Sequence, residues 1–390
     1  MSSTWLPAGA PLVAALVACV LWFVSSRRGS KDPLRELLQV VALAVSALGL
    51  VAPLFLAWAI PAARGGVLPA HDGVLLCVQA ALISALFLQW SAQSSLGARL
   101  RIMLACLLTS AFLVLALGTN DRTHISLLLL AAALAACGPV LVTPPLGSDD
   151  ADQETSSARS ITGGVKHISS ATLGTCLLVI GALLVARYAV NLENSGLQQL
   201  GAGLVVVGLV ARAGVWPFAP ASSDLLAAAA GPAVLVMGAV TPSVIAAGIV
   251  ILDLQGGASP LRGYSLAWLP AIGVLLAGLR ALGAGADRHA ISAQSGLPIP
   301  RSFSSPDLFA ATIALQAGWA MFGVLSGSTE GVGGALLLAA NTAIAVPLLV
   351  AATGSSKPAL AVAAASLLGL PPTGGFVGTL LVARSAAAVG

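Results

Sequence analysis

"SLLGLPPTGGFVGT", Ser366 to Thr379, decides the fold. It lies inside an otherwise apolar run, yet it holds two prolines and four glycines. Proline removes a backbone donor and its ring collides with the preceding helical turn, and glycine weakens a helix interior. In a bilayer the polar groups freed by such a break must be covered by protein or by a water-filled cavity. The stretch therefore predicts a discontinuous helix, provided that the surrounding chain is in a membrane.

The composition places it there. The chain is 58% hydrophobic and 8% charged, against about 25% charged in an ordinary soluble domain. Apolar runs long enough to span recur along the whole length. Twelve spans are expected, near 8–25, 37–60, 74–92, 102–118, 125–143, 168–190, 199–217, 228–252, 265–284, 307–326, 331–353 and 358–388. Pro232 and Pro242 predict a kink in the eighth. At the N-terminus, Arg27 and Arg28 follow the apolar stretch, so a retained first helix is expected in place of a cleaved signal. Lys and Arg are concentrated in alternate loops, from Arg27, Arg28, Lys31 and Arg35 to Lys357, which predicts an outside N-terminus. The loops 144–160 and 283–307 then face the cytoplasm as solvated connectors or docking points for a soluble partner.

Several function classes lack their signatures. The net charge of +4 comes without a basic run or aromatic-basic interleaving, so nucleic-acid binding has no support. Cys19, Cys77, Cys106, Cys137 and Cys176 have neither metal nor disulfide spacing, and the four histidines are scattered. "GAGLVVVG" lies within a span with no strand before it, so it is not a nucleotide loop.

A second interruption has the same form as the first. "VVVGLVARAGVWPFAPASSDLLAAAAGP" (205–232) reads helix, break, helix, as does "AVAAASLLGLPPTGGFVGTLLVARSA" (361–386). Paired broken helices point to a transporter-like architecture with a polar path between them. Pro217 marks the first break, and Pro371, Pro372, Gly374 and Gly375 mark the second. Asp224 is positioned to cap the half-helix after the first break.

From about residue 100 to 386 the chain resembles the antiporter-like membrane subunits of complex I, Mrp-type antiporters and membrane-bound hydrogenases. "SLLGLPPTGGFVG" is similar to the family's broken twelfth helix, and "GLVVVGLVARAGVWPF" followed by Asp224 is similar to its broken seventh. "ATIALQAGWAMFGVL" (311–325) resembles the tenth helix, "RSITGGVKH" (159–167) the entry to the sixth, and "SLLLLAAALAACGPVLV" (126–142) the fifth. The resemblance implies an all-α polytopic fold with about twelve spans here, against fourteen in the family core. Helices 7 and 12 would be discontinuous. Helices 1–3 would occupy residues 1–100 and the antiporter-like core residues 101–390, in one membrane domain.

In the family, ionisable groups at the midplane move protons. The matching positions here are Leu134 for the fifth-helix glutamate, Arg212 for the seventh-helix lysine, the neighbourhood of Val240 for the eighth helix, and Thr379 for the twelfth. Only Arg212 is charged. Arginine stays protonated in proteins, so it shuttles protons poorly. At the bilayer centre it needs a partner, unless it snorkels to the interface. Gln316 and Thr379 either line a hydrated cavity or bond between helices. Lys166 and His167 stand at a span entrance, as anchors or as part of an ion path. No catalytic residue, cofactor or metal is expected, and any enzymatic role is at most that of a non-catalytic subunit.

The expected function is a diverged antiporter-like subunit of a complex I-like assembly in the inner (plasma) membrane. Its partners would be other membrane subunits, lipid and a soluble module on the cytoplasmic side, and its proton relay would be degraded. Two alternatives stay open: a stand-alone carrier of an ion or small anion using Arg212, and a structural membrane anchor for a soluble enzyme.

Overall fold

The computed structural model describes residues 5–27, 32–63, 70–92, 96–119, 121–141, 151–188, 195–215, 218, 225–226, 230–253, 268–295, 306–352 and 357–389. Among these the regular elements are all helical: α1 (Trp5–Ser26), α2 (Pro33–Ala63), α3 (Ala70–Ala92), α4 (Leu96–Gly118), α5 (Arg122–Leu141), α6 (Ala151–Tyr188) and α7 (Ser195–Arg212). The segments Ala230–Ala233, Val234–Val240 and Thr241–Asp253 run on as α8. Then come α9 (Trp268–Ser295), α10 (Pro306–Ser326), α11 (Thr329–Ala352), α12 (Lys357–Leu367) and α13 (Gly374–Val389). Eight helices among the described residues are long and apolar enough to cross a membrane. Shorter apolar helices lie at Val74–Leu88, Gly196–Arg212, Trp268–Leu282, Pro358–Leu367 and Gly374–Ala387. The chain is an all-α, multi-pass membrane protein.

Helix starts follow local chemistry. Asp32 accepts the Leu34 N–H at 3.0 Å ahead of Pro33, the N-cap and first-position pairing that suits an acid and a proline. Ser328 likewise accepts the Gly331 N–H at 2.9 Å at the start of α11.

α8 is the central element. In its Val234–Leu252 window, 89% of residues are buried, against 33% for the spans of α1 and α2. It packs against α3, α5, α10 and α11. Where Pro242 predicts a kink, the backbone widens into a π-helix over Val234–Val240, with the Thr241 N–H bonded to Val236 O. Pro242 has no N–H to donate and its ring crowds the carbonyl one turn back, so a wider turn ahead of it relieves the clash. One continuous core joins residues from Ala14 to Val382. Outside it, Leu16, Val20 and Phe23 of α1 and Leu37, Val40 and Leu48 of α2 are exposed. In lipid that exposure is solvation by a like medium.

α6 and α7 pack backbone to backbone. Gly174 and Gly181 of α6 face Gly208 and Gly201 of α7, and the backbones touch. A Cβ added at Gly181 would stand 2.5 Å from Gly201 O, and one at Gly208 would stand 2.7 Å from Gly174 O. Small residues at helical spacing permit this approach, which maximises dispersion contact where no hydrophobic force acts between helices.

Candidate functional site

Both interruptions begin with the same backbone device. At the end of α7, the Gly214 N–H bonds to Ala211 O at 3.3 Å and the Val215 N–H to Val210 O at 3.2 Å. At the end of α12, the Gly369 N–H bonds to Ser366 O at 3.2 Å and the Leu370 N–H to Ala365 O at 2.9 Å. Each is a Schellman cap, and in each the glycine has φ of +68°, a conformation that L side chains disfavour. The chain then turns alike: the Phe218 N–H bonds to Val215 O at 2.8 Å, and the Thr373 N–H to Leu370 O at 3.0 Å. Pro217 and Asp224 lie outside the described residues. Pro371 and Pro372, joined by a cis peptide bond, and Thr373 connect α12 to α13, which starts at Gly374.

The two caps differ in the last residue of each helix: Arg212 ends α7 and Leu367 ends α12. Arg212 is 3% exposed, so it does not snorkel. Its stem lies against Gly174, where an added Cβ would come within 2.7 Å of Arg212 Cγ. Nη1 donates to Ala171 O at 3.4 Å, a carbonyl that also accepts the Thr175 hydroxyl at 2.8 Å. Nε and Nη2 have no partner among the described residues, and neither has Nε2 of His167, which lies within electrostatic reach of the guanidinium. His167, Ala171, Gly174 and Thr175 share one face of α6. The carbonyl end of α7 favours a cation by about 0.3–1 kcal/mol, and by up to about 2 kcal/mol in favourable partly buried sites. Desolvating a charge costs several kcal/mol, so the helix end offsets only part of it. Lys166, next to His167, is exposed.

Leu134 of α5 is 45% exposed, on the side of that helix turned away from the core.

The second interruption is neutral and closed by hydrogen bonds. Gln316 of α10, 2% exposed, donates from Nε2 to Ser366 O at 2.8 Å. Its Oε1 accepts Asn341 Nδ2 at 3.1 Å and Thr342 Oγ1 at 3.0 Å, both from α11. Asn341 Nδ2 also reaches Ser366 O at 3.2 Å, and the Ser366 hydroxyl donates back to Asn341 Oδ1. Gly375 packs directly on Ser366 O, and a Cβ there would also stand 2.7 Å from Gln316 Nε2. Glycine is required at 375 by that close approach. Gln316 therefore bonds between helices. Thr379 bonds within its own helix, donating to Gly375 O at 2.9 Å. The Gln316 and Asn341 side chains thus join the Gly369 N–H on the Ser366 carbonyl, so the break leaves no unpaired buried acceptor there.

Other features hold less chemistry. Among the described residues no cluster of His, Cys, Asp and Glu is arranged to hold a metal. The groove between α3 and α11 is apolar apart from Ser84, whose hydroxyl is bonded to Ala80 O. Asn341, Thr342 and Ser366 and the four seam glycines were not singled out by the sequence. The glycine spacing in 174/181 and 201/208 is the signal that could have found the seam.

No protein-family model matches this chain. A search of curated proteins likewise finds no match. The resemblance thus rests on the motifs and their order.

Proposed function

We propose that this chain is a diverged antiporter-like membrane subunit of a complex I-like, ion-translocating assembly, with a degraded proton relay and a scaffold role. The observation that supports this reading best is the pair of matching helix interruptions, one ending in Arg212 and the other sealed by uncharged side chains. A working relay needs groups that exchange protons near physiological pH. Arg212 is a fixed cation, and the Gln316–Asn341–Ser366 network has no titratable member. Twelve spans, an outside N-terminus, the inner (plasma) membrane and a soluble module on the cytoplasmic side belong to the same proposal.

The test has two parts. The chain purified in mild detergent is expected to bring other membrane subunits with it. Reconstituted alone in liposomes, it is expected to pass neither protons nor sodium. Anion or proton flux from the isolated chain, abolished by Arg212→Ala, would replace this reading with a stand-alone carrier. Retention of a soluble enzyme without any membrane partner would replace it with an anchor.

A further inference from the structure

We propose that the outward side of the break between α12 and α13 is an interaction surface for a membrane-spanning helix of a different protein, one that carries a hydroxyl or amide donor at mid-depth. The depth of the break comes from its neighbour. α11 is a 24-residue span from Thr329 to Ala352. Asn341, which bonds to Ser366 O, stands about 18 Å from either end of it at 1.5 Å per residue. α12 starts at Lys357, just past the end of α11, and Ser385 of α13 bonds to Ser326 and Ser328 beside the start of α11. The two pieces therefore make one crossing antiparallel to α11, and the break lies near its middle. The hydrocarbon core is about 30 Å thick, so the break is far from water on both sides.

The two sides of the break differ. The inward side is sealed at Ser366 O by Gln316 and Asn341. The outward side consists of Leu368, Leu370, Pro371 and Pro372, all exposed. Pro372 has no N–H, so the Leu368 carbonyl loses the donor that an unbroken helix would supply. Among the described residues that carbonyl has no other partner, and neither have those of Pro371 and Pro372. Leu370 O is met by the Thr373 N–H and hydroxyl. Lipid tails hold no donor, and irregular backbone exposed to them does not occur within the hydrocarbon region; it is covered by protein or lines water. Water is disfavoured here, because Val362, Val377 and Leu380, exposed on α12 and α13, are apolar like Leu368 and Leu370. A second copy meeting the same face would bring no side-chain donor to these acceptors. The complement is a helix of another protein, apolar enough to stay in the bilayer, with a Ser, Thr, Asn or Gln against the break.

The test puts the photo-reactive p-benzoylphenylalanine in place of Leu370 in the full chain, in the membranes of its own cells. Position 370 is expected to cross-link to a membrane-spanning segment of a different protein, with a Ser, Thr, Asn or Gln within one turn of the attachment point. Adducts with lipid alone, with a second copy, with another part of this chain or with a segment lacking such a residue would overturn the proposal. So would labelling of Leu370→Cys by a membrane-impermeant maleimide, which reports water at the break. A second variant, Leu370→Trp, adds bulk on the exposed side without entering the core. It is expected to lose the cross-linked partner on purification in mild detergent while the isolated chain melts as the wild type does; retention of that partner would also overturn the proposal. The inference rests on the complex I-like reading only in expecting a membrane partner. A partner unrelated to such assemblies sinks that reading alone, and co-purifying subunits with only lipid at position 370 sink this one alone.

Discussion

Asp121 shows how one exposed residue sets where a span begins. Its Oδ1 accepts the N–H groups of Thr123 at 2.8 Å and His124 at 3.1 Å, capping the first turn of α5. The His124 backbone bond, with smaller contributions from the His124 side chain and the Thr123 N–H, holds the carboxyl below the usual carboxylate range. A depressed folded-state value stabilises the fold above the unfolded value, near pH 3.9, and that stability is lost as pH falls through the folded value. Asp121→Ala is expected to destabilise by about 0.5–2 kcal/mol at neutral pH. The gap between the wild-type and variant melting curves should shrink steadily as the pH is brought below about 4. A gap of constant size down to the lowest accessible pH would show that the carboxylate is not the capping group. The surface pair of Asp121 with the His124 ring, at 3.0 Å, adds little by comparison.

At the scale of elements, the α6–α7 pair depends on having no side chain where the backbones meet. Gly181→Ala places a methyl 2.5 Å from Gly201 O, so the helices must separate. Overpacking of this kind costs about 1–3 kcal/mol. Gly203→Ala supplies the control, because a Cβ there meets nothing within 4 Å. Within a helix the second change gains helix propensity. Thermal melting should thus fall for Gly181→Ala and hold or rise for Gly203→Ala; equal effects would remove the seam as the cause. The same close packing fixes the stem of Arg212, so a seam variant that still folds should also disturb the buried guanidinium. The broken helix α12–α13 solves a different problem. Its freed carbonyl is met by amide side chains from two neighbouring helices, which makes the break a structural joint with no charge in it.

Over the whole molecule, large apolar side chains face outward as well as into the core. Leu48 is exposed on the outer face of α2. In water, replacing such a residue by a charge would be harmless. In lipid, Arg near a helix centre costs about 2.5–3.5 kcal/mol on insertion scales. Leu48→Arg is therefore expected to lower the yield recovered in the membrane fraction. The same change at an exposed helix end, such as Thr329→Arg at the start of α11, where the long side chain can reach the membrane–water boundary, should cost far less. Equal yields would argue that the outer face of α2 meets water or protein in place of lipid.

The all-helical, membrane-embedded character was legible because it rests on composition and on the length of apolar runs, quantities that a linear chain states directly. The two interruptions were legible for a similar reason: proline and glycine act on the backbone of their own segment. Other features depend on which residues of distant helices meet, and no local pattern encodes that. The sequence left Arg212 open between burial and snorkelling, and the packing of α7 on the glycine face of α6 buried it. Leu134 shares a span with buried neighbours, and only the rotation of α5 turned it outward. Gln316 and Asn341 are unremarkable polar residues on separate helices until the fold brings both to one carbonyl of a third. Composition and local backbone chemistry thus determined the medium and the breaks, while the rotation and approach of helices far apart in the chain decided which polar atoms were satisfied and which were left waiting for a partner.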